Sequence, residues 1–331
     1  MVFAGWTGMA LAVDTRADFL KLIERPRVPS APEVRALPGT NGLAMFHFTY
    51  ASDAGDRVPG LLVEQEHLQG RHPVVIVLHG TGGNKEGVMP WLRELAQCGF
   101  VAVAIDGRYH GERTKAGKGT AEYEEAIVRA WQDGKEHPFF YDTVWDVMRL
   151  VDYLQTRADV DGSRIGLTGI SKGGVETYLT AAVDPRITAS APCIGMQSFK
   201  WALDHNDWQG RIGTIQKAFD QIVEKSGVTN VNSAFVEGFY HRVTPHIYSE
   251  FDGPKMLALT APRPVLMVNS DSDNHTPLPG VKECIAAGQA AYAAVGVPDH
   301  FEFIIQEKTG HKVTSTSEKA VVEWFVKRLR P

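Results

Sequence analysis

Hydrophobic and polar positions set the first expectations. Leu43–Tyr50 alternates in part, with His47 between Phe46 and Phe48, and Pro59–Val63 follows too closely for a helical crossover. The two runs predict an antiparallel pair at the start of a sheet. Val74–Leu78 is continuously apolar and β-branched, which reads as a strand buried on both faces. Further strands are expected at Val101–Ile105, Arg164–Thr168, Ile187–Cys193, Pro264–Ser270 and Phe301–Ile305. Between them, Trp91–Cys98 and Thr143–Thr156 carry apolar residues at three- and four-residue spacing, the pattern of helices packed by one face on a sheet. The alternation predicts an α/β fold with a mostly parallel central sheet flanked by helices.

Two segments break the rhythm. Ala17–Glu24 favours helix and is followed by Pro26, Pro29, Pro32 and Pro38, so residues 1–40 read as an N-terminal arm on a main domain spanning 41–331. About sixty residues, 197–255, separate two core strands where loops are normally short, which predicts a helical, cap-like insertion. Its aromatics, among them Phe199, Trp201, Trp208, Phe219 and Tyr240, either roof a pocket or form the insertion's own core. Trp201 and Trp208, seven apart on one helical face, are the pocket-lining candidates.

With 331 residues and 44% hydrophobic content, the chain can bury one large core. A net charge of −5 and the lack of arginine runs argue against nucleic-acid binding. Cys98, Cys193 and Cys284 are odd in number and widely spaced, which favours buried thiols in a reducing compartment over a disulfide framework. Met1–Val13 is apolar but no Lys or Arg precedes it, so a cytoplasmic location is favoured over a secretory signal. No run approaches the roughly 18 apolar residues that cross a bilayer. Oligomeric state is not readable.

The chemistry concentrates at strand ends. Gly169-Ile170-Ser171-Lys172-Gly173 follows the strand ending at Thr168 and precedes a helical pattern, the arrangement of a nucleophile elbow. His79-Gly80-Thr81-Gly82-Gly83 ends the strand at Leu78, and the backbone N–H groups of Thr81 and Lys172 are the candidates for an oxyanion hole. The Lys172 side chain itself is expected in solvent. Asp271 and Asp273 follow the strand ending at Ser270, and His311 lies in a Gly-His turn after the last strand. A carboxylate and a histidine in that order after Ser171 complete a triad. His275 and His300 are positional rivals of His311 without its turn context. The loop Asp106–Arg113 leaves its strand at the same sheet edge, so Arg108 and His110 are candidate substrate contacts. Neither a helical His pair nor an EF-hand pattern is present, so no metal and no cofactor is expected.

These motifs, over roughly residues 40–330, resemble those of α/β-hydrolases, nearest to the dienelactone hydrolase, acetyl xylan esterase and prolyl oligopeptidase branch. Ala191–Ala202 with Trp208-Gln209 also resembles a group of poorly characterised plant and bacterial hydrolases in that branch. The branch's acid turn is similar to D-x-x-T-P; Asp273-Asn274-His275-Thr276-Pro277 matches it, which favours Asp273 over Asp271. The resemblance implies a serine esterase acting on a small-molecule ester through an acyl-enzyme. A peptidase, a thioesterase or acyltransferase, and a binding module that has lost its chemistry are the alternatives. The acyl and alcohol groups are not legible.

Overall fold

The computed structural model describes residues 15–115 and 120–330. The apolar run Met1–Val13 lies outside them. A nine-stranded sheet forms the centre, in the order β1-β2-β3-β5-β4-β6-β7-β8-β9. The strands are β1 (Glu33–Thr40), β2 (Leu43–Asp53), β3 (Asp56–Gln65), β4 (His72–Leu78), β5 (Val101–Ile105), β6 (Val160–Ile170), β7 (Ile187–Cys193), β8 (Val265–Ser270) and β9 (Phe301–Gln306). β1, β2, β3 and β5 pair antiparallel in turn, and β5 onward is parallel. Buried β-branched residues fill β4 and β5, as strands covered on both faces require.

Register carries the functional loops to one edge. Leu78 pairs with Gly169, Ile170 with Cys193 and Ser270 with Gln306, so β4, β6, β7, β8 and β9 all release their C-terminal loops on the same side. In open parallel sheets ligands bind at that edge, where the strand order reverses around β4.

A helix over residues 15–23 (α1) is followed by α2 (Met89–Gln97), α3 (Ala121–Asp133), α4 (Tyr141–Leu154) and α5 (Lys172–Val183). The insertion holds α6 (Phe199–Asp204), α7 (Gln209–Gly213), α8 (Gln216–Ser226), α9 (Ser233–Val243) and α10 (Gly253–Ala258), and α11 (Leu278–Ala294) and α12 (Ser315–Leu329) complete the chain. α2 and α12 cover one face with Trp91, Leu95, Trp324 and Phe325. On the other face the largest apolar cluster joins Phe19 of α1 and Tyr178 of α5 to Phe199, Trp208, Phe219 and Tyr240 of the insertion. The insertion therefore shares the main core.

Residues 33–40, read from sequence as part of an arm, form edge strand β1. Most of its side chains are exposed, so no buried face imprints a pattern, and Pro38 suits an edge. Cys193 and Cys284 are buried, whereas Cys98 is only half-buried.

Candidate active site

β6 ends in a turn that forces Ser171 into φ 59° and ψ −111°. The glycines around it have steric reasons. A Cβ on Gly169 would come within 2.4 Å of the Gly173 carbonyl oxygen, and one on Gly173 within 2.4 Å of that of Leu78. Only backbone fits between β4, β6 and the first turn of α5. Ser171 N–H donates to the Cys193 carbonyl at 2.9 Å, fixing the elbow against β7.

Ser171 Oγ lies 2.7 Å from His311 Nε2, and His311 Nδ1 lies 2.7 Å from Asp273 Oδ2. With the Nδ1 proton facing the carboxylate, Nε2 accepts from the serine hydroxyl. Asp273 is buried, and its oxygens also accept from His275 N–H at 2.8 Å and Thr276 Oγ1 at 2.9 Å. Burial alone would raise its pKa, but the hydrogen bonds and the charge of His311 outweigh it and hold the carboxyl below its ordinary value. Asp271 instead accepts from the backbone N–H groups of Lys308 and Thr309 at 2.8 and 3.1 Å, tying the acid turn to the turn before His311.

A cleft of about 550 Å³ opens over these groups, lined by Thr81, Ile170, Ser171, Ile194, Thr214, His275 and His311 among others. The loop that carries Thr81 is braced from behind. His79 Nδ1–H donates to the Gly80 carbonyl at 2.8 Å, and its Nε2 accepts from Gly107 N–H at 3.0 Å. Buried Asp106 accepts from both Lys85 N–H and Lys85 Nζ, at 2.9 and 2.8 Å, and from Glu112 N–H at 3.0 Å. Burial, and then the charge of Lys172, pushes His79 down to about 4. It is neutral at pH 7.

Several side chains lie elsewhere than expected. Lys172 is fully buried and paired with Glu176 one turn along α5, its ammonium over the Tyr123 ring. The four-residue Lys-Glu spacing was the available signal. Arg108 is drawn away from the cleft by Asp146, Asp53 and Asp56, at 2.9, 3.3 and 3.0 Å. It lines a separate cavity of about 660 Å³ that shares no residue with the Ser171 cleft. His110 is buried between the rings of His79 and Tyr123. Trp208 is buried against Phe219, with Nε1–H donating to Asn206 Oδ1 at 3.0 Å, and half-buried Trp201 stacks on His205. Neither tryptophan is among the cleft-lining residues. The insertion contributes Thr214, a residue without any sequence signal.

His275 gains a position that sequence reasoning gave it only as a rival of His311. Its ring meets that of His311 edge to face, centroids 4.1 Å apart. Burial first, then the charges of His311 and Arg211, pushes it down to about 4. Among the described residues, Asp273, His275 and His311 are the grouping whose donor atoms fall within 4.8 Å of one another, and two of the three are already joined by the His311–Asp273 hydrogen bond.

A mostly parallel sheet with a strained serine at its C-terminal edge, hydrogen-bonded to a histidine that is in turn bonded to an acid, both from later loops, defines an α/β-hydrolase. Residues 35–209 match the acetyl xylan esterase (AXE1) family, and residues 136–291 match the PhoPQ-activated pathogenicity-related protein family. The first match covers more than half of the chain, which therefore belongs to the acetyl xylan esterase family and is a carboxylic ester hydrolase. The Bacillus subtilis protein YtaP is 27% identical over 83% of this chain and 84% of its own length. A 4-O-methyl-glucuronoyl methylesterase of Wolfiporia cocos is 26% identical over 49% of this chain and 38% of its own. Among solved structures, acetyl xylan esterase 1 from a Thermoanaerobacterium species superposes with a TM-score of 0.68 at 18% identity, covering 97% of this chain and 94% of that one.

Proposed function

We propose that the chain removes short acyl groups, acetyl foremost, from hydroxyl-bearing substrates such as acetylated carbohydrates, with Ser171, His311 and Asp273 as its catalytic triad. The continuous hydrogen-bonded path from Ser171 through His311 to Asp273, with both links at 2.7 Å, carries this reading. Ser171 Oγ attacks the ester carbonyl while His311 Nε2 takes its proton, and Asp273 holds the ring and favours the resulting imidazolium. The backbone N–H groups of Thr81 and Lys172 receive the negative charge on the carbonyl oxygen. His311 returns its proton to the departing alcohol, leaving acyl-Ser171, and then deprotonates the water that releases the acid. Ile170 and Ile194 beside the serine suit a small apolar acyl group. The relatives' names support a carbohydrate alcohol.

The test compares p-nitrophenyl acetate, butyrate and octanoate, acetylated xylo-oligosaccharides and methyl glucuronate. Expected are a preference for acetate and a fall in kcat of about 10⁴-fold or more for Ser171→Ala and His311→Ala. Retained activity in either variant removes the triad assignment. Preferred cleavage of methyl glucuronate moves the specificity from the acyl to the uronic-acid side.

A further inference from the structure

We propose that Arg211, in the insertion, is a positioning residue of the triad: it seats the loop carrying Asp273 and sets a fixed positive charge behind His275 and His311. The inference rests on the triad reading above. Arg211 is 3% exposed, and its Nη2 has no hydrogen-bond partner. One side-chain amide links it to the acid loop. With the Gln197 amide oriented to satisfy both ends, its oxygen accepts from Arg211 Nε at 3.2 Å and its nitrogen donates to the His275 carbonyl at 3.1 Å. The neighbouring Gly210 lies so close to that loop that a Cβ there would come 1.9 Å from the Asn274 carbonyl oxygen. The backbone of α7 thus rests on the turn Asp273–Pro277, and the ring of His275 transmits that placement to His311.

A buried guanidinium with an unpartnered nitrogen lowers stability, and an apolar side chain of similar volume would not carry that cost. Such a charge finds its use in the electrostatics of its neighbours. The groups whose charge Arg211 meets are Asp273 on the acid loop, Tyr240 of α9, Tyr178 of α5 and Tyr123 of α3. Burial raises all three tyrosines well beyond their ordinary value, so none is charged near neutrality. His275 faces His311, Arg211 and Asp273. Burial, then the charge of His311, then that of Arg211 push His275 down to about 4, so Arg211 adds to a depression that burial begins. Without the charge of Arg211, His275 protonates more readily as pH falls.

The test is Arg211→Met, with Arg211→Gln as the variant that keeps a donor toward Gln197 and loses only the charge. Expected are a kcat about 10- to 100-fold lower with KM little changed for Arg211→Met, and a smaller fall for Arg211→Gln, which keeps the contact with Gln197. In a Ser171→Ala background, NMR titration of His275 moves to higher pH when Arg211 is replaced. An unchanged kcat in Arg211→Met, or a His275 titration identical to wild type in both folded variants, overturns the proposal. If Ser171→Ala itself stays active, the triad reading has failed instead, and labelling of Ser171 by a serine-reactive phosphonate separates the two cases.

Discussion

Asp273 and Asp271 stand two positions apart on one turn, yet their surroundings assign them different work. The first is buried and bonded to His311; the second is half-buried and accepts backbone N–H groups from the facing turn. Asp273→Asn leaves shape but reverses the hydrogen-bonding of the ring, so kcat should fall about 10⁴-fold. Asp271→Asn keeps an acceptor and should change kcat less than about tenfold, the loss showing as a lower melting temperature. Steady-state kinetics on both variants checks this, and the reverse order of damage would exchange their roles. Ser171, His311 and Asp273 were legible because each sits in a short motif at a strand end, where local backbone geometry restricts residue choice. Arg108, Lys172 and Arg211 were not. Their positions depend on partners such as Asp146, Glu176 and Gln197, and a long flexible side chain leaves no local trace of where it points.

At the scale of elements, the strands from β4 onward and the elbow declared themselves through continuous apolar runs and glycines. β1 did not, because an exposed edge strand has no buried face to impose a period. The insertion was recognisable by length, but its packing was not, since aromatic residues at helical spacing suit a pocket roof and a shared core equally. The structure places Trp208 in the core, with 8% exposure. Trp208→Ala should therefore cost about 3–5 kcal/mol of stability and leave the order of ester substrates unchanged, while Trp201→Ala should do much less. Chemical denaturation alongside the ester panel decides the point. A reordered panel with unchanged stability would return Trp208 to the pocket.

For the whole molecule, the parallel order of β4 to β9 draws groups 140 residues apart in sequence into one hydrogen bond. The fold class followed from alternation of strands and helices, whereas the strand order required knowing which segments cross over, and periodicity does not record that. One consequence lies in the last strand. Among the described residues β9 has a neighbour only in β8, and the turn bearing His311 hangs from its end, fastened by the Gln306 side chain to Ser270 Oγ, the Lys312 carbonyl and Thr314 N–H. Margins of a sheet fray before its centre. His311, the proposed base, is thus mounted on a margin of the sheet, while Ser171 sits at the end of interior strand β6. Low urea should abolish turnover before far-UV ellipticity changes, with amide hydrogen exchange in β9 faster than in β4 or β6. Dilution should restore activity as soon as that margin re-forms, making catalysis a reporter of local opening rather than of global unfolding.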